Sequence, residues 1–137
     1  MSGPWPSTRL LRFGLGLGAA ANFGVAALLL VPDSAAGQLA GLPSASVPIL
    51  YASLLALFVA LFGGVYAWLA AQVEINRPVL ALGAIGKALA FILGIVLWLA
   101  GSTSARWTGL MVGDLLLAAL FAAWLWQHRQ PGPSASH

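Results

Sequence analysis

The chain has 137 residues, of which 61% are hydrophobic and only 7% are charged, and it contains no cysteine. Soluble domains carry about 25% charged residues, so this composition excludes a water-soluble globule and predicts a protein surrounded by lipid. The absence of cysteine excludes disulfides and thiolate-ligated metal sites. The net charge of +3 is too small and too scattered for nucleic-acid binding, and it is typical of orienting charge beside a bilayer.

Four apolar runs follow one another, each about as long as the 20 residues that an α-helix needs to cross the hydrocarbon core. They occupy residues 13–31, 49–71, 79–100 and 107–126. The sequence therefore predicts an all-α membrane protein, a four-transmembrane-helix bundle over residues 13–126. A short segment, 1–12, precedes the bundle, and a polar tail, 127–137, predicted to be disordered, follows it.

The first run admits one alternative reading, because two arginines precede it and the small residues of Ser34–Ala36 follow it like a signal-peptide cleavage site. The apolar region of a signal peptide usually has about 7–15 residues, and this run is longer, so we favour a retained helix. The loop after this run is the longest connection. Its segment Ser34–Leu42 lies between two prolines, and we expect a short helix there that lies flat at the membrane interface.

The distribution of arginine predicts the orientation of the bundle. An even number of spans places both termini on the same side of the membrane. That side holds Arg9, Arg12, Arg77 and Arg129, whereas the opposite loops hold only Arg106. Basic residues concentrate in cytoplasmic loops, so we predict that both termini are cytoplasmic, an N-in/C-in arrangement.

Four polar or amphipathic side chains within the spans are candidates for a buried polar core or a ligand site: Asn22, Tyr66, Lys87 and Asp114. A charge at bilayer depth costs about 2.5–3.5 kcal/mol on insertion scales and usually faces protein or a water-filled cavity. A helical rise of about 1.5 Å per residue places Lys87 and Asp114 at levels about 9 Å apart along the membrane normal. A lysine side chain bridges much of that offset, so the sequence does not decide whether the two residues form a direct ion pair. We expect a polar column that runs through the four positions.

Small residues predict where the spans contact each other. Gly83 and Gly94 share the helix face of Lys87, and Gly14 and Gly18 form a G-x-x-x-G pair in the first span. Such residues let two helices approach closely, so these four glycines are predicted helix-packing positions. A buried acid and a buried base can serve only to hold helices in register, and the sequence leaves that role and ligand binding as alternatives.

The sequence lacks the motifs of phosphate-binding, pigment-binding, catalytic and metal sites. Gly86-Lys87 lacks the first glycine of a phosphate-binding loop and is followed by alanine rather than serine or threonine. Both histidines lie in the tail, so no span carries a histidine for haem or chlorophyll, and no serine–histidine–aspartate group or metal site is assembled. We therefore predict neither a catalytic nor a metal site and favour a non-enzymatic role, with the cofactor, if any, unknown.

Five short motifs occur in a recognisable order along the chain. They are Ala21-Asn22-Phe23, Gly64-Val65-Tyr66-Ala67, Arg77-Pro78, Gly86-Lys87 and Gly113-Asp114-Leu115. Over residues 9–127 this order resembles small four-helix bacterial membrane proteins of the broad DoxX-like group. The resemblance implies a bacterial inner-membrane location and carries over Asn22, Tyr66, Lys87 and Asp114 as polar-core positions. Some relatives are linked to quinone-coupled sulfur or redox metabolism, and the lack of cysteine removes thiol exchange from what the resemblance implies.

Three functions fit the sequence. The first is a DoxX-like membrane protein whose polar core binds a quinone, a lipid-like molecule or another small ligand. The second is an accessory structural subunit that packs against a larger bioenergetic or photosynthetic membrane complex or against itself, for which the Gly/Ala-rich faces are suited. The third is a small multidrug transporter, which ranks last because that family places a glutamate in its first span, where this chain has only Asn22.

Overall fold

The computed structural model describes residues 5–43 and 47–129, and within these ranges the chain forms six α-helices. Their bounds are α1 Thr8–Leu30, α2 Ala35–Ala40, α3 Ile49–Ala71, α4 Arg77–Leu99, α5 Ala105–Leu110 and α6 Val112–Gln127. α1, α3, α4 and the stretch formed by α5 and α6 together are each long and apolar enough to cross a membrane. The predicted class, an all-helical protein with four candidate membrane spans, is confirmed.

α3 covers the same residues as its apolar run, 49–71, whereas α1, α4 and the α5–α6 stretch extend beyond theirs. α1 begins at Thr8 rather than at residue 13, because the Ser7 hydroxyl accepts a hydrogen bond from the backbone N–H of Leu10 at 3.2 Å and so caps the helix. At the other end of the chain, Gln127 is the last residue of α6, where a disordered tail was predicted. Hydropathy does not detect polar, capped turns, which explains both differences. Residues 130–137 of that predicted tail lie outside the described residues.

The short helix predicted in the first loop is present as α2. Ser34 caps its start by accepting a hydrogen bond from Gly37 N–H at 3.1 Å, and Gly41, with a φ of 84°, ends it in the left-handed region. α2 packs against the start of α5, where the Ser104 hydroxyl donates to the Gly41 carbonyl at 2.7 Å. We call this end of the bundle the distal end. The opposite end, where α1 begins and α6 ends, is the terminal end.

The long helices pack as two antiparallel pairs. α1 packs along α3, and α4 along α6, more extensively than any other two helices. α1 also contacts α6, whereas α3 and α4 approach each other at few positions. The bundle therefore consists of an α1–α3 pair and an α4–α6 pair, and the contacts between the pairs decide how tightly it closes.

The buried core that all four spans share lies in the terminal half. It consists of Leu11, Leu15, Ala19, Tyr66, Leu69, Leu80, Ala84, Phe121 and Trp124. In the distal half, the buried residues within the helices include Ala26 of α1, Ala56 of α3, Gly94 of α4 and Thr108 of α5. There the Thr108 hydroxyl donates a hydrogen bond to the Gly94 carbonyl at 3.4 Å. The four-helix core therefore ends near the middle of the spans.

Two arginines stabilise the terminal end. Arg12 of α1 donates to the carbonyl of Gln72 at 2.6 Å, just beyond α3. Arg77 of α4 donates to the Leu125 carbonyl at 2.9 Å and also to the His128 carbonyl, at the end of α6. The last carbonyls of a helix have no partner within the helix. Each arginine therefore satisfies such carbonyls and joins the two members of one helix pair.

Candidate polar core

A polar cluster lies where the four-helix core ends, and Lys87 is at its centre. The Lys87 side chain is only 4% exposed, and its Nζ lies 2.5 Å from Oδ1 of Asp114 and 3.3 Å from Oδ1 of Asn22. The same Nζ lies 5.1 Å from the centre of the Tyr66 ring. The structure thus brings together all four candidate residues, one from each candidate span.

The ion pair between Lys87 and Asp114 answers a question that the sequence left open. The offset of about 9 Å assumed a fourth span that begins at residue 107, whereas its first helix, α5, begins at Ala105. Counted from the observed distal ends, Lys87 is about 18 Å below Leu99, and Asp114 is about 13.5 Å below Ala105. The remaining offset of about 4.5 Å is within the reach of a lysine side chain.

Asn22 connects the ion pair to α3. Its side-chain N–H donates to the Val59 carbonyl at 3.1 Å, while its Oδ1 accepts from Lys87. A helix-interior carbonyl keeps a second lone pair after making its backbone hydrogen bond, so this contact leaves α3 intact. Asn22 therefore stabilises the α1–α3 pair and also gives Lys87 a second oxygen.

Tyr66 closes the cluster on its terminal side. Its side chain is 1% exposed, and its hydroxyl donates to the Gly83 carbonyl of α4 at 3.4 Å. Its ring packs against Phe62 and Phe121, with centroids 6.2 Å and 5.8 Å away. The distance from the ring to the Lys87 ammonium is within the range of a cation–π contact. Tyr66 therefore separates the charged cluster from the apolar core and links α3 to α4.

The four glycines predicted as packing positions are all buried within helices: Gly14, Gly18, Gly83 and Gly94. A Cβ added to Gly83 would lie 2.8 Å from the Tyr66 ring, and one added to Gly18 would lie 3.6 Å from Cε of Lys87. The other two face side chains of α6 and of the α5–α6 junction. Two of these glycines therefore line the polar cluster, and two lie in helix contacts on either side of it.

Asp114 is the more accessible member of the ion pair, with 28% of its side chain exposed. Oδ1 accepts from Lys87, and among the described residues no hydrogen bond reaches Oδ2. Asp114 lies near the middle of its span, about 13.5 Å from the distal end. The cluster thus presents one free carboxylate edge near the middle of a candidate span.

The cluster does not have the ligands of a metal site. It holds one carboxylate, one amide and a lysine, and a lysine repels a cation. In the part of the chain that the structure describes, no three histidine, aspartate or glutamate side chains could together hold a metal ion. The cluster can form charge-assisted hydrogen bonds with a small polar group.

Two features of the site could not be read from the sequence. The partner of Asn22 is a backbone carbonyl, that of Val59, and any residue type could supply it. The contact of Tyr66 with Gly83 depends on the approach of two helices that otherwise touch little. The buried glycine at position 83 was the one signal in the sequence that pointed to this approach.

Comparison with protein-family models, with curated proteins and with solved structures gave no match for this chain. The resemblance to the DoxX-like group therefore rests on the five short motifs alone and stays a prediction. The function has to be inferred from the geometry of the polar cluster and from the surfaces around it.

Proposed function

We propose that the chain is a small multi-pass membrane protein that binds the polar head of a lipid-soluble ligand at the cluster of Asn22, Lys87 and Asp114. One observation carries this proposal, namely that the Asp114 carboxylate is 28% exposed although Lys87, its partner, is only 4% exposed. A charge at bilayer depth needs polar partners. A pair that only held two helices in register would be more stable with both charges enclosed, whereas a ligand can supply the missing partner here.

The class of ligand follows from what the cluster offers. The free edge of Asp114 accepts hydrogen bonds, so the ligand has to present a donor, such as the hydroxyl of a quinol or of a lipid head group. Lys87 already donates to two oxygens. The ligand's apolar tail can lie between the α1–α3 pair and the α4–α6 pair, because α3 and α4 have few contacts and the shared core lies on the terminal side of the cluster.

The proposal includes a location. We place the protein in a bacterial inner membrane with both termini in the cytoplasm, as a member of the DoxX-like group. Four arginines at the terminal end, Arg9, Arg12, Arg77 and Arg129, support this orientation against Arg106 at the distal end, since basic residues concentrate on the cytoplasmic side. The motif order supports the group. Arg12 and Arg77 also stabilise helix ends, which is compatible with either orientation, so the orientation needs its own test.

The binding experiment separates a ligand site from a structural pair. A short-chain benzoquinol is titrated calorimetrically into the purified protein in detergent micelles. The double variant Lys87→Met/Asp114→Leu removes both charges, and replacing a buried ion pair with apolar residues is often neutral for stability. We expect saturable binding to the native chain and none to the folded double variant. Equal binding by both proteins would refute this site, and no binding to the native chain would refute the quinol class.

A second candidate function is that of an accessory subunit that packs against another membrane helix. An added Cβ at Gly16, Gly24 or Gly64 would meet no atom of another helix within 4 Å, so these glycines lie on open helix faces. Gly64 also lines an apolar groove of about 410 Å³ on α3. Extraction in mild detergent tests this function. Stoichiometric recovery with another membrane protein supports it, and recovery of this chain alone, at native abundance, contradicts it.

A further inference from the structure

A polar depression lies at the distal end, remote from the Lys87 cluster. It has a volume of about 590 Å³ and lies between the end of α2 and the loop that joins α4 to α5. Its lining comprises Gly41, Leu42, Pro43, Gly101, Ser102, Thr103, Ser104 and Arg106. Arg106 is the one charged residue among them, and three neighbouring residues carry hydroxyl groups.

The guanidinium of Arg106 is held in place without being neutralised. Its Nη1 donates to the carbonyls of Gln38 and Leu39 at 3.4 Å and 3.2 Å. Backbone carbonyls carry no formal charge, and the ion pair found in the described part of the chain involves Lys87 rather than Arg106. A guanidinium has five N–H donors; the two carbonyls share Nη1, and no other described residue accepts from the three remaining N–H groups, which can bind an anion.

A buried hydroxyl in the same depression also lacks a partner. Thr103 Oγ1 is inaccessible, and no described residue forms a hydrogen bond with it. The neighbouring Ser104 hydroxyl, by contrast, donates to the Gly41 carbonyl and accepts from Trp107 N–H. Buried polar atoms without a partner are rare and call for an explanation. A rotation of the Thr103 side chain about χ1 would turn this hydroxyl toward an acceptor oxygen bound in the depression.

The position of the depression indicates which anion is at hand. It lies at the end of α4 and the start of α5, where two candidate spans terminate. The polar head-group layer of a bilayer begins where the apolar spans end. Phosphate oxygens there match both an unneutralised guanidinium, which binds phosphate through paired N–H donors, and a hydroxyl without an acceptor.

We propose that this depression is a phosphate-binding site, in which Arg106 neutralises the phosphate charge and the hydroxyls of Ser102 and Thr103 donate hydrogen bonds to its oxygens. The source of the phosphate is a phospholipid head group or free phosphate. The site is independent of the proposed ligand site. Leu99 lies next to the depression, and Lys87 lies about 18 Å away from Leu99 along α4. Failure at one site therefore leaves the other untouched.

Native mass spectrometry of the purified protein tests this site with three probes. The probes are short-chain phosphatidylglycerol, the matching diacylglycerol without phosphate, and inorganic phosphate. The variants Arg106→Gln and Thr103→Val remove one proposed contact each, and Arg9→Gln removes an exposed arginine at the terminal end as a matched control. Thr103→Val leaves the contacts of Arg106 with α2 unchanged, so it decides the outcome should Arg106→Gln fail to fold.

We expect one phosphatidylglycerol molecule on the native chain and on Arg9→Gln, and about tenfold weaker binding to Arg106→Gln, the loss for a charge-assisted hydrogen bond. Thr103→Val should weaken binding by a smaller factor. Inorganic phosphate that binds with the same variant pattern, without the lipid, supports the site and assigns free phosphate as its source. Diacylglycerol bound as well as phosphatidylglycerol, or equal binding by native chain, Arg106→Gln and Thr103→Val, overturns the proposal.

Discussion

Removing one charge of the Lys87–Asp114 pair should destabilise the bundle far more than removing both. Asp114→Leu leaves a lysine that is 4% exposed, with Asn22 Oδ1 as its remaining hydrogen-bonded oxygen. Lys87→Met leaves a carboxylate without its cation near the middle of the span. The double variant Lys87→Met/Asp114→Leu replaces the two charges with apolar side chains and leaves no charge behind.

The magnitudes follow from the burial of the two side chains. An unpaired charge costs about 2.5–3.5 kcal/mol at bilayer depth, and breaking a buried pair costs about 3–5 kcal/mol. We expect each single variant to lose about 3 kcal/mol, with Asp114→Leu the worse, because Lys87 is more deeply buried than Asp114. The double variant loses the acceptor role of Asn22, worth about 1 kcal/mol. The single losses together come to about 6 kcal/mol and the double variant loses about 1 kcal/mol, so the coupling free energy between the two sites is about 5 kcal/mol.

Reversible unfolding in mixed micelles with increasing denaturing detergent measures these free energies for the four proteins of the cycle. Glu74→Leu, which removes an exposed loop carboxylate, serves as the control and should stay within about 0.5 kcal/mol of the native chain. If both single variants also stay within about 1 kcal/mol, the pair is hydrated and its placement inside the membrane is wrong. If the double variant loses as much as the two single variants together, the charges are not coupled.

Two further predictions concern packing and orientation. Gly83→Ala should destabilise the bundle by about 1–3 kcal/mol, because its Cβ would lie 2.8 Å from the buried Tyr66 ring. The added Cβ of Gly86→Ala meets no atom of another helix within 4 Å, so this variant should be neutral or up to about 1 kcal/mol more stable. Thermal unfolding compares the two variants, and an equal loss of stability in both contradicts the Tyr66 contact. Since the chain has no cysteine, Asp33→Cys and Glu74→Cys can be labelled singly in intact cells. An impermeant maleimide should modify the cysteine at position 33 and not that at position 74, and the reverse pattern would show that the orientation is inverted.

The sequence predicted the spans well because a lipid environment imposes a simple rule, in which about 20 apolar residues form one helix. It predicted the ends of α3 but not the starts of α1 and α5, since Ser7 and Ser104 cap these helices with polar turns that hydropathy does not detect. This error in helix ends produced the error in the offset of Lys87 and Asp114. The polar side chains could be chosen from the sequence, because charged residues inside spans are costly. Their contacts could not, because Asn22 bonds to a backbone carbonyl. The same holds for Arg106, which donates from α5 to backbone carbonyls of α2.

The polar contacts differ in which helices they join, and this difference bears on function. Within the polar cluster, the contact of Lys87 with Asp114, at 2.5 Å, lies within the α4–α6 pair, and the contact of Asn22 with Val59 lies within the α1–α3 pair. Between the pairs, the contact of Lys87 with Asn22 is longer, at 3.3 Å. α1 and α3 pack extensively, as do α4 and α6, whereas α3 and α4 have few contacts, so the pairs are internally firm and more loosely joined to each other. A ligand that donates a hydrogen bond to Asp114 reduces the negative charge that this carboxylate presents to Lys87. The hydrogen bond from Lys87 to Asn22 then becomes stronger. Ligand binding at this cluster would therefore tighten the junction between the two helix pairs.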